Sequence, residues 1–278
     1  MKKTRYSLYL AAAVATLAAS SAMANPFIAP PEPAESKLTA ATPTSYELGF
    51  TTYREKYTEH VNGQKFMQET APMWGVQGAV THAFKHGGKL KLSGTFATGN
   101  ADYTGSYMGG SYGDLRIGGL DRYMLTSELE YKLSSRDWND ITFGAGVGYR
   151  RLVDHLEQGG PGGYKRKNDR LYLTLSVERE FAAGDWSFTP QFKYKHVIRG
   201  VQHADIMGGV ALRQDDGYGT ELAVAISHKG AWNGLTVTPY LRTWDIKDSK
   251  FVQLTSTVGA YEPQNKTKEI GVTVSMRF

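Results

Sequence analysis

The feature that most constrains this chain is a two-residue rhythm of apolar and polar side chains, sustained from Ser45 to the last residue. It is cleanest at the end, where Ile270, Val272, Val274, Met276 and Phe278 alternate with Glu269, Gly271, Thr273, Ser275 and Arg277. Successive strand residues point to opposite faces, so each such segment is a β-strand with one apolar and one polar face. Leu171, Leu173, Leu175 and Val177 likewise oppose Tyr172, Thr174, Ser176 and Glu178. Ile141, Phe143, Ala145, Val147 and Tyr149 oppose Thr142, three glycines and Arg150. Ten segments follow from the rhythm, near 45–58, 71–84, 89–103, 121–134, 141–154, 168–182, 186–199, 216–229, 235–247 and 264–278.

Alternation alone leaves two all-β readings open. A soluble sandwich turns its apolar faces inward, and a membrane barrel turns them outward. The connections separate the two. Those after segments two, four, six and eight are short, whereas those after one, three, five, seven and nine are longer, including a Gly-rich stretch at 100–120 and Gly159-Gly160-Pro161-Gly162-Gly163. Short inner turns and long outer loops are the rhythm of a barrel whose termini both lie in the periplasm. Segments of this length, aromatic residues near their ends (Trp74, Phe84, Tyr123, Tyr149, Trp186, Tyr194) and an even strand number support the same reading. The expected fold is all-β, an antiparallel up-and-down transmembrane barrel of about ten strands over 45–278, with twelve as the alternative count.

Ahead of the barrel, residues 1–24 carry Lys2, Lys3 and Arg5, an apolar run and then Ala22-Met23-Ala24, the layout of a secretory signal peptide. Residues 25–44 are Pro-rich and are expected to be a disordered periplasmic tail. Without the three leader cations the chain has 29 basic against 27 acidic residues, which speaks against nucleic acid as a partner. The absence of cysteine excludes disulfides and thiolate chemistry. Histidines are scattered without ligand spacing, so no metal and no cofactor is expected.

The closing strand carries a resemblance. Gram-negative outer-membrane barrels typically end on a Phe preceded by apolar residues at alternate positions, and Phe278, Met276, Val274 and Val272 match, with Met276 where many members have Tyr. The resemblance implies an outer-membrane location, a lipid and lipopolysaccharide environment, and reading of that strand by the barrel-assembly machinery. Gly146-Val147-Gly148-Tyr149-Arg150, the stretch 240–249 and the stretch 262–271 are similar to a group of proteobacterial barrel proteins, which implies the fold and no particular activity.

With the apolar face toward lipid, the lumen receives charges of both signs: Glu128, Glu130, Arg150, Glu178, Glu180, Lys193, Lys195, Glu221, Arg242 and Glu269, besides Glu47, Glu55 and Arg277. Ten strands give a radius of roughly 10 Å, so long side chains from opposite walls nearly meet and must pair. Arg150, between the strands of Glu128/Glu130 and Glu178/Glu180, is the expected hub. Such a network either stiffens a filled barrel or lines a narrow path for small hydrophilic solutes. The expected function is porin-like passage by a monomer, with a closed barrel displaying its loops for adhesion or ligand binding as the alternative. Loop candidates are Tyr107 and Tyr112 in a Gly/Ser frame, and Lys165, Arg166 and Lys167 as a cluster for lipopolysaccharide phosphates. A third reading is an omptin-like rim protease. Asp102 and His203-x-Asp205 come nearest to that family's pattern, with Asp154-His155 beside them, but its Asp-x-Asp is missing. Ser227 and His228 point to opposite faces and cannot cooperate. The chain is therefore not expected to be an enzyme.

Overall fold

The computed structural model describes residues 43–278 apart from 86, 107–109, 136–139, 207 and 231–232. The expected leader and nearly all of the tail, as well as Tyr107, lie outside the described residues. Ten long strands form the wall: β1 (Thr44–Val61), β2 (Gln64–Ala83), β3 (Gly88–Gly105), β4 (Leu115–Ser135), β5 (Ile141–His155), β6 (Lys165–Arg179), β7 (Trp186–Ala204), β8 (Gly217–His228), β9 (Leu235–Ile246) and β10 (Gln264–Arg277). Each pairs antiparallel with its sequence neighbour, and β10 returns to β1 from Glu47 opposite Arg277 to His60 opposite Gln264. The ring leaves no open edge among these strands, as a wall in hydrocarbon requires. Tyr46 and Phe278 exchange backbone hydrogen bonds of 3.1 and 2.8 Å, stitching the last residue to the first strand. Short strands at Phe181–Ala183 and Val210–Arg213 extend the sheet along β7, and a small hairpin (Val252–Gln253 with Gly259–Ala260) sits in the connection between β9 and β10.

The inversion holds. Leu48, Phe50, Trp74, Val76, Phe96, Leu129, Leu171, Leu175, Leu222 and Ile270 are exposed on the outside, while Glu55, Glu69, Arg122, Arg150, Arg166 and Glu269 are buried within. Val272, Val274, Met276 and Phe278 all lie on the lipid-facing side of β10. The outward apolar residues form a belt that ends where charges begin. On β1 the outward series runs Leu48, Phe50, Thr52, then Arg54 and Lys56.

Above that belt the strands continue, and the sequence reading loses them there. The connection 59–70 was expected to be a long outer loop. Instead β1 and β2 run on to a two-residue turn at Asn62-Gly63, with φ of 51° and 78°. Both residues lie in the left-handed region that a two-residue hairpin turn demands, which Asn-Gly adopts readily. Outside the lipid an outward face has no need to be apolar, so the alternation fades although the strand does not. Much of the stretch 100–120 is strand for the same reason.

Candidate functional site: the charged lumen and its outer cap

The lumen carries its charges in two tiers, the lower one around a chamber and the upper one packed. The lower tier contains nearly all the charges expected from the sequence, and they form one chain. Arg150 meets Glu269 across the barrel at 2.9 Å, and Glu269 holds Arg242 at 2.7 Å. Arg242 meets Glu221 at 2.8 Å, and Glu221 meets Lys195 at 2.9 Å. Lys195 reaches Glu128 at 2.6 Å, and Lys193 bridges Glu128 and Glu130 at 2.8 and 2.9 Å. Lys132 and Gln191 hold Glu178 nearer the turns. Arg150 is thus not a hub for these glutamates: it joins the chain through Glu269 and the upper tier through Glu55 at 3.9 Å. Glu128, Glu130 and Glu178 are taken by lysines of other strands, and Glu180 accepts from Ser187 at 2.6 Å beside the inner turn, away from the network. The reason is reach: a side chain pointing inward meets residues across the lumen as readily as those on the next strand.

Glycine makes room for this crowd. A Cβ on Gly148 would lie 2.4 Å from the Tyr172 ring, whose hydroxyl donates to Glu128 at 2.8 Å. The alternate glycines of β5 thereby let large side chains of β4 and β6 pass over it.

The upper tier was read only in part. Its centre is Arg122, which donates to Glu55 at 2.9 Å, to Glu69 at 2.7 Å and to Asp154. Arg166 joins Glu59 and meets Glu69 at 3.0 Å and Asp154 at 3.4 Å. Arg166 was expected in an outer cluster for lipopolysaccharide; it is instead 1% exposed and points inward, while its neighbours Lys165 and Lys167 stand on the outward face. The strand runs through the supposed loop, so alternate basic residues go to opposite faces. Both guanidiniums lie over the Tyr57 ring, at 5.6 and 5.4 Å, with Met67, Met73, Met124 and Leu152 buried in the same cluster as that ring. Arg122, Glu59, Glu69, Asp154 and Arg170 were not among the expected lumen residues. Continued alternation through 59–70 and 166–170 places Glu59, Glu69 and Arg170, while Arg122 and Asp154 share the inward parity of Glu128 and Arg150 within the segments 121–134 and 141–154.

The outer mouth is closed by the connection between β9 and β10. Glu262 in this connection accepts from Tyr57 at 3.2 Å and from Gln202, and Tyr57 also donates to Glu59 at 3.0 Å. Burial first, then the nearby Glu59 carboxylate, pushes the Glu262 carboxyl well above its ordinary pKa, which favours its neutral form. Ser249 exchanges hydrogen bonds with the Glu262 backbone at 2.7 and 2.8 Å. Above this, Val252, Leu254 and Ala260 pack with Tyr164 and Ile206 on Ala204, Val210 and Leu212, so three connections share one small core. Among the lower-tier charges a polar chamber of about 370 Å³ opens, lined by Glu128, Lys193, Lys195, Glu221 and Arg242 and reaching Glu47, Lys91 and Arg277 toward the inner end.

The other loop and enzyme candidates do not assemble. Tyr112 is exposed, with Lys65 4.6 Å from its ring. Asp102, His203 and Asp205 are all exposed on outer faces or loops and do not converge, and Asp154 points inward while His155 points outward. No group of metal-binding residues occurs among the described residues.

These features define a closed, ten-stranded transmembrane β-barrel of the Gram-negative outer-membrane type. No family model matches the chain, and no curated protein matches it in sequence. Among solved structures it is similar to the outer membrane protease OmpT of Escherichia coli, at 14% identity and a TM-score of 0.54, covering 87% of this chain and 99% of that one. It is also similar to the transport unit of the autotransporter AIDA-I of Escherichia coli, at 9% identity and a TM-score of 0.45, over 88% and 93% of the two chains. The translocator domain of NalP from Neisseria meningitidis gives 10% identity and 0.44, over 85% and 90%. The protease match overturns the expectation that this chain is not an enzyme, which was drawn from the missing Asp-x-Asp and the scattered histidines, since a barrel of this same build is an outer membrane protease. At this identity the likeness establishes the fold and transfers neither an activity nor residues.

Proposed function

We propose that the barrel is sealed and that its function is exercised by the outer surface it holds up, as a binding or adhesion platform rather than as a porin-like passage. The supporting observation is the upper tier. Arg122 and Arg166 are each 1% exposed, and besides Asp154 of the strand between them they pair with Glu55, Glu59 and Glu69 from across the lumen. A hydrated solute would have to break several buried ion pairs at once, each loss costing about 3–5 kcal/mol. The same pairs brace the wall above the membrane, and Glu262 ties the cap to them. On this braced cap Phe251, Val258 and Tyr261 are exposed by 64%, 40% and 41%. Rigid aromatic side chains on an anchored loop suit recognition, since little ordering entropy is lost on contact.

The test has two arms. Purified barrel in planar bilayers is expected to show no stepwise conductance. Cells displaying the native barrel are expected to bind targets on an array of glycans and matrix proteins, and Phe251→Ser/Tyr261→Ser to lose that binding. Stepwise conductance that changes on Arg150→Ala, with attachment indifferent to the cap substitutions, overturns the proposal.

A further inference from the structure

The outer face of the β1–β10 seam carries a charge cluster that the sealed lumen does not use. Arg54 of β1 stands opposite Ile270, Lys56 opposite Lys268, and Thr58 opposite Lys266. All four cations are exposed. Lys266 meets Asp245 at 3.3 Å, while Arg54, Lys56 and Lys268 have no carboxylate within salt-bridge distance among the described residues. Single outward cations such as Arg199 also lack a carboxylate partner among the described residues and Arg151 lies on Asp169 at 2.5 Å, but at the seam three unmatched cations stand side by side on two paired strands. The seam cluster sits directly above the apolar belt, at the level of the outer-leaflet headgroups.

A second feature begins at the same place. A shallow trough of about 730 Å³ crosses the lipid-facing wall from β10 to β6. It follows one row of register partners: Arg54 to Ile270, Ile270 to Leu241, Leu241 to Leu222, Leu222 to Phe192, and Phe192 to Val177. Its other bank holds Pro190, Val224 and Pro239, which project less than the leucines and phenylalanine of the row. Strand neighbours are about 4.8 Å apart, so the five steps cover about 24 Å. With strands tilted about 40°, such a row descends about 15 Å, close to the hydrocarbon depth of one leaflet. An unmatched cation cluster at headgroup height thus opens onto an apolar track running down through the outer leaflet.

We propose that this seam and trough bind one phosphorylated, multiply acylated glycolipid of the outer leaflet, the lipopolysaccharide class, with its phosphates on Arg54, Lys56 and Lys268 and an acyl chain along the Ile270–Val177 row. The cations contribute point charges and a bidentate guanidinium for phosphate oxygens. The trough supplies length-matched apolar contact that a soluble phosphate does not use. This binding is independent of what the outer cap recognises.

The test uses the full mature barrel refolded in detergent, with folding of every variant checked by heat-modifiable gel mobility. Binding of bisphosphorylated lipid A is measured by native mass spectrometry against dephosphorylated lipid A, phosphatidylglycerol and inorganic phosphate. The expected result is a one-to-one complex weakened at least about tenfold by Arg54→Gln/Lys56→Gln/Lys268→Gln. It is also weakened by Val224→Trp, which fills the trough, and unchanged by Arg151→Gln. Native affinity in the triple variant overturns the proposal. Equal competition by phosphatidylglycerol overturns the glycolipid assignment in favour of any anionic lipid, and full competition by inorganic phosphate overturns the role of the trough.

Discussion

Removing the Arg122 guanidinium tests whether the upper tier is held by charge or merely filled. In Arg122→Met the side chain keeps its length and apolar contacts, but Glu55, Glu69 and Asp154 lose their common partner. Glu69 and Asp154 keep Arg166 at 3.0 and 3.4 Å, whereas Glu55 retains only Arg150 at 3.9 Å. Glu55 is therefore the group left exposed to the penalty. A buried carboxylate without a cation takes up a proton instead, and that sets a ceiling. Holding one glutamate neutral at pH 7, from an ordinary pKa near 4.3, costs about 3.7 kcal/mol. At pH 5 the same neutralisation costs about 1 kcal/mol. The expected charge-dependent loss of stability is thus about 3–4 kcal/mol at pH 7, shrinking to about 1 kcal/mol at pH 5. The assay is urea unfolding of the barrel in lipid vesicles, followed by tryptophan fluorescence at both pH values for native and variant protein. A loss below about 1 kcal/mol at pH 7, or one of equal size at both pH values, refutes the argument that charge pairing holds this tier.

Lys193→Met in the lower tier is expected to cost less, about 2 kcal/mol, because Glu128 keeps Lys195 at 2.6 Å and the chamber that Glu130 lines admits water to it; the same urea titration measures it. Gly63→Ala is expected to destabilise the first hairpin by about 1 kcal/mol from its φ of 78° alone, since a Cβ there meets nothing within 4 Å; loss several-fold larger would show that the side-chain space had been misjudged. Glu262 has its pKa raised in the closed cap, so closure is fully favoured below its unfolded-chain value and is progressively lost as pH rises through the raised one. Proteolysis within 250–258 is expected to accelerate from pH 5 to pH 9 relative to Glu262→Gln, which keeps the hydrogen-bonding shape without the charge; parallel rates in the two proteins would refute the latch.

The rhythm of two was enough to read the ten strands and their order, the lipid-facing identity of Val272, Val274, Met276 and Phe278, and the inward direction of Glu128, Arg150, Lys193, Lys195, Glu221, Arg242 and Glu269. It was not enough at 59–70 or 165–170. There the strands stand above the lipid, both faces are polar, and a basic run such as Lys165-Arg166-Lys167 reads as a loop although its middle member is buried. The porin expectation was drawn from the lower charges, which line a chamber, whereas the proposal of a sealed barrel rests on Arg122, Arg166, Glu59, Glu69 and Asp154 above it.

What the sequence determines by itself is local: the face on which each side chain lies follows from parity along a strand, and the sign of that face follows from whether it must meet lipid. Which charges find each other is decided only in the closed ring. Arg150 with Glu269 and Arg166 with Glu59 are separated by 119 and 107 residues and come from opposite walls. Their meeting depends on the diameter, tilt and stagger at which ten strands close, together with the inward fold of Glu262, and no stretch of the chain encodes those quantities alone.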